Sequence, residues 1–134
     1  MTMRTERLRL ALGAGLLAAT LATPALADVK DFEFQLVQSE VKQGDGAVVT
    51  VRLVNKRTKE AVPNAVIFTK RIDMAPDGMA SMASPLTEMP SDKPGEYRFK
   101  TNLSMQGRWQ LSLGARVQGK TGSVQSKLIV KAVP

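Results

Sequence analysis

"GRWQLSLGARVQG" (107–119) decides the fold class, because apolar and polar residues alternate along nearly all of it. Trp109, Leu111, Leu113, Ala115 and Val117 fall on one face. Arg108, Gln110, Ser112, Arg116 and Gln118 fall on the other. A period of two belongs to a β-strand with one face against a core and the other in water, whereas a helix would repeat at three to four.

The same period recurs in both directions from this strand. In "GAVVTVRLVN", Val49, Val51 and Leu53 alternate with Thr50 and Arg52, and in "GEYRFKT" Tyr97 and Phe99 alternate with Glu96, Arg98 and Lys100. "DFEFQLVQ" offers Phe32, Phe34 and Leu36, "GSVQSKLIVK" offers Val124, Leu128 and Val130, and "AVIFTKRID" is a further β-branched run. Between the runs lie "KQGDGA", "APDG", "DKPGE", "SMQGR" and "QGKTGS", whose Gly, Pro and Asp residues suit chain reversals. The pattern predicts seven strands at about 31–38, 47–54, 65–73, 79–88, 96–101, 108–117 and 122–131. Seven short strands in about 100 residues predict an all-β fold, an immunoglobulin-like antiparallel β-sandwich.

The first residues do not fit this pattern. "MTMRTERLRLALGAGLLAATLATPALA" has a basic start (Arg4, Arg7, Arg9), an apolar segment from about Leu8 to Ala22, and the small-residue signal Ala25-Leu26-Ala27. These are the parts of a secretory signal peptide over residues 1–27, cleaved after Ala27. The competing reading is a retained anchor, but the apolar run falls short of the roughly 20 residues that span a bilayer. The mature chain, 28–134, is then one exported domain with a periplasmic address. Loss of three Arg and one Glu lowers the net charge from +7 to +5. A moderate positive charge favours an acidic partner or an anionic membrane surface. The export signal and the scarcity of stacking aromatics argue against nucleic acid.

The chain has no cysteine and no histidine. Core packing must therefore supply the stability without disulfides, and a zinc site of the usual nitrogen and sulfur type is excluded. The sequence also lacks a His base, a Cys nucleophile, a G-x-S-x-G elbow and a phosphate-cradling G-x-x-x-x-G-K, so it does not read as an enzyme.

What it does have is methionine. "RIDMAPDGMASM" (71–82) carries three, and Met74, Met79, Met82, Met89 and Met105 all lie between residues 74 and 105. If successive strands run up and down, "QGDG" (43–46), "APDG" (75–78) and "NLSMQG" (102–107) share one pole of the sandwich. Met74, Met79 and Met105 would then converge there, with Met89 near the other pole. Thioether sulfur is a soft, neutral ligand that selects Cu(I), and Ag(I) by the same chemistry. Such a site keeps its ligands at acidic pH, where imidazole and thiolate compete with protons. Met82 joins this set only if the strand is irregular, since odd spacing sends Met79 and Met82 to opposite faces. The bland alternative is packing, with Met105 covering Trp109 or Phe68. Asp73 and Asp77 read as turn residues capping their own backbone. Lys56, Arg57 and Lys59 form the densest basic patch, either a solvated loop or a dock for an acidic partner.

Pro94, Gly95 and Tyr97, followed by Gly107 and Trp109, place a Pro-Gly-x-Tyr turn ahead of a Gly-x-Trp strand. With the leader and the all-β pattern, this resembles the YtkA-like, or FixH-like, family over most of residues 32–130. The resemblance implies an immunoglobulin-like sandwich in the bacterial periplasm. It also implies a role beside copper or other heavy-metal efflux, or in assembly of a cation-dependent oxidase. FixH itself keeps a membrane anchor, and the Ala25-x-Ala27 signal departs from that pattern. The family offers no shared catalytic residues. The expectation is a non-enzymatic periplasmic module handling Cu(I) or Ag(I) for an efflux or membrane-complex partner. Its rival is an immunoglobulin-like adaptor that binds no metal and docks through sheet edges or the basic loop.

Overall fold

The computed structural model describes residues 29–134. The expected signal peptide, 1–27, and its expected cleavage after Ala27 lie outside the described residues. Nine strands form two sheets: β1 (Phe32–Leu36), β2 (Glu40–Lys42), β3 (Gly44–Asn55), β4 (Val66–Met74), β5 (Met79–Ser84), β6 (Leu86–Met89), β7 (Glu96–Leu103), β8 (Gly107–Arg116) and β9 (Val124–Val133). One sheet runs β1-β3-β7-β6 and the other β2-β9-β8-β4-β5. Every pairing is antiparallel except that of β2 with β9. No helix of the described residues is long and apolar enough to cross a membrane.

The alternation in the sequence becomes the core directly. Trp109, Leu111, Leu113, Ala115 and Val117 are all buried, and they face Val49, Val51, Leu53, Tyr97 and Phe99 from the opposite sheet. Burying each large side chain fully contributes about 1.5–3 kcal/mol relative to exposing it, so the two inner faces hold the sheets together without disulfides.

Nine strands replace the expected seven because two segments change sheet. The predicted strand 79–88 divides at Pro85, whose missing N–H interrupts the ladder. The chain crosses there from β5 in one sheet to β6 in the other. The crossing is tied down by Ser84 Oγ donating to the Asn102 carbonyl at 2.6 Å and Thr101 Oγ1 donating to the Pro85 carbonyl at 2.7 Å. Likewise β1 ends at Leu36, and the short, charged β2 joins the other sheet alongside β9.

The Tyr97 hydroxyl donates to the Val62 carbonyl at 2.9 Å and accepts from the Ala65 N–H at 3.0 Å, which clamps the β3–β4 connection onto β7. Burial pushes its phenol above its ordinary value. Gly95, at φ +85°, lets this connection approach closely, since a Cβ there would fall 2.4 Å from that of Ala61.

Candidate functional site

The three turns expected at one pole do meet there. Gly44 and Asp45 stand opposite Leu103 and Asn102, and the short 3-10 turn Ala75–Asp77 packs against β8. Pairing of β4 with β5 brings Met74 into register with Met79. The register between the two strands is otherwise unusual. Asp73 faces Ala83, yet the next residue, Met74, faces Met79, so the chain from Ala80 to Met82 is accommodated in a bulge. Arg71 Nη2 caps this bulge by donating to the Ala80 carbonyl at 2.9 Å. As a result Met79 and Met82, three residues apart, both pack against the core instead of facing opposite ways. The irregularity that Met82 needed is present.

The four candidate thioethers do not share one environment. Met74 is 1% exposed and belongs to the core. Met79 and Met82 are half-buried. Met105 sits in the β7–β8 turn, 40% exposed. Its backbone carbonyl accepts the Trp109 indole N–H at 3.1 Å, so the tie to Trp109 runs through main chain. Phe68 lies against Gly114, far along β8 from Gly107, and Met105 does not cover it. Met89 ends β6 beside Pro94, Gly95 and Tyr97, at the opposite pole.

Gly107 makes room for Met74 and for the Asp77 carboxylate beside it. Its φ is +139°, and a Cβ would fall 2.6 Å from Asp77 Oδ2 and 2.7 Å from the Met74 methyl. Only a glycine leaves room for both. Asp73 behaves as a turn residue, its Oδ1 accepting the Ala75 N–H at 2.9 Å while its Oδ2 takes the Arg71 guanidinium at 2.7 Å. Asp77 does not cap its own turn. Its carboxylate reaches across to β8, accepting the Arg108 N–H and the Arg108 Nε–H, each at 2.8 Å. The Arg108 backbone N–H first, and its guanidinium second, hold the Asp77 carboxyl below its ordinary value. Nothing in the residue pattern announced this link, because it joins turns 31 residues apart.

No group of three His, Cys, Asp or Glu residues able to hold a metal occurs among the described residues. The carboxylates of this pole, Asp73 and Asp77, are engaged by Arg71 and Arg108, and the thioethers beside them suit a soft monovalent ion better than a hard divalent one. In the basic loop, Asn55 Oδ1 accepts from the N–H groups of Arg57 and Thr58, and Arg57 pairs with Asp31 at 3.3 Å. Lys56 and Lys59 extend into solvent.

Both halves of the Pro-Gly-x-Tyr and Gly-x-Trp pattern thus have structural work to do: Gly95 and Tyr97 close one pole, and Gly107 and Trp109 the other. Residues 26–114 match the family described as YtkA-like. The chain belongs to the YtkA-like family. The match ends inside β8, so β9, which completes the five-stranded sheet in this YtkA-like protein, lies beyond it. No curated protein matches the chain.

Proposed function

We propose that this YtkA-like protein is a non-enzymatic periplasmic binding module that carries Cu(I) or Ag(I) as cargo for an efflux or delivery system. Met79, Met82 and Met105 supply the accessible thioethers at one pole, and Met74 backs them from the core. The observation that carries this reading is the bulge of β5, with Met79 and Met82 both packed against the core and Met79 in register with the buried Met74. Release occurs by ligand exchange, since neutral thioethers bind a soft ion without the charge of a thiolate site. The signal-like leader supports the compartment, and the family resemblance supports the link to metal transport.

Anaerobic Cu(I) titration of the purified protein, read on methionine methyl resonances, tests the proposal. The Met79, Met82 and Met105 methyls are expected to shift together and saturate at one equivalent. No shift, or loss of Cu(I) to a mild chelator, returns these methionines to packing and favours the metal-free adaptor.

A further inference from the structure

β4 is only half covered. On one side it pairs with β8 from Val66 to Asp73, but on the other β5 reaches only Ile72, Asp73 and Met74. Along Val66–Arg71, therefore, the outward backbone N–H and C=O groups have no strand partner among the described residues. An open edge of this kind is a template for another strand. It also carries two of the most exposed large apolar side chains, Val66 at 66% and Phe68 at 48%.

The charge beside the edge selects the occupant. Val66 is in register with Arg116, whose guanidinium stacks over the Phe68 ring at 5.4 Å. Arg71, Ser112 and Lys127 form a second cross-strand row. Lys70 lies on the edge itself, and neither it nor Arg116 has an ion-pair partner among the described residues. Phe68 is the extra residue of a β-bulge, since Ile67 faces Ala115 and Thr69 faces Gly114. Bulges and lysines guard an edge against copies of itself. A second copy of Val66–Arg71 would bring Lys70 and no carboxylate to the edge. A carboxylate-bearing strand meets the same cations as counter-ions.

We propose that the β4 edge, Val66–Arg71, is a docking site for an extended acidic segment of a protein partner, added to the five-stranded sheet as a further antiparallel or parallel strand. Backbone hydrogen bonds supply the pairing, Val66 and Phe68 the apolar contact, and Lys70 and Arg116 the preference for carboxylates. The inference stands apart from the methionine pole, and each fails or survives without the other.

The test uses the purified protein and a short peptide alternating valine and glutamate, with a valine–lysine peptide as control, read by amide shifts and hydrogen exchange. The acidic peptide is expected to bind, to protect amides within Val66–Arg71, and to weaken about tenfold in the Lys70→Glu/Arg116→Glu variant. The basic peptide is expected not to bind, and Met79→Leu/Met82→Leu to leave peptide binding unchanged. Trp109 emission verifies that each variant is folded. The proposal is overturned if the acidic peptide does not bind, if charge reversal leaves its affinity unchanged, or if protection appears on β1, β5 or β6. It is equally overturned if sedimentation shows a dimer with the β4 amides already protected.

Discussion

Asp77 and Arg108 join the β4–β5 turn to the start of β8 through two hydrogen bonds of 2.8 Å, one to the Arg108 backbone and one to its guanidinium. The pair closes the pole at which Met74 and Met79 stand in register. Because both bonds need the carboxylate, the Asp77 pKa is lowered in the folded state. A lowered folded pKa contributes stability that is present above the unfolded carboxylate value of about 3.9 and is lost as pH falls through the folded value. Asp77→Asn is expected to lower the melting temperature at neutral pH and to flatten its fall at acid pH. A melting curve with the same acid dependence as the parent would show that Asp77 is not the group responsible.

Gly107→Ala tests the close approach at the same pole. The new methyl would meet the Asp77 carboxylate and the Met74 methyl at a φ that alanine rarely adopts. Overpacking and backbone strain together are expected to cost about 1–3 kcal/mol in urea unfolding. A neutral substitution would mean that the turn relaxes freely.

Tyr97→Phe removes one hydroxyl that serves both Val62 and Ala65. Leaving those backbone groups without it is expected to cost about 1–3 kcal/mol. The loss should appear locally as faster exchange of the Ala65 amide, while β8 amides stay protected.

Met79→Leu/Met82→Leu separates packing from binding. Leucine nearly conserves volume, so stability is expected to change by less than about 1.5 kcal/mol. Cu(I) retention, in contrast, is expected to fall sharply because leucine has no donor atom. Unchanged retention would remove both residues from the proposed site.

Much of this protein was legible in its residues. The strands 96–101 and 108–117 were anticipated at almost their observed bounds, since their alternating side chains face a real core. The shared pole of the three turns followed from strands running up and down. The sheet changes at Pro85 and after Leu36 were not legible, because a local period reports only that a strand exists and not which neighbour it joins. The bulge of β5 was equally hidden: Met79 and Met82 alternate to opposite faces in any regular strand.

Composition and periodicity by themselves determined an all-β sandwich, its inward faces, the absence of thiol and imidazole chemistry, and the concentration of methionine between residues 74 and 105. These depend on residue type and spacing, which are local. Tertiary structure decided which methionines are accessible, that Asp77 reaches Arg108, and that β4 keeps an open edge. Each of those depends on a contact between segments far apart in the chain, formed only when both sheets close over the core.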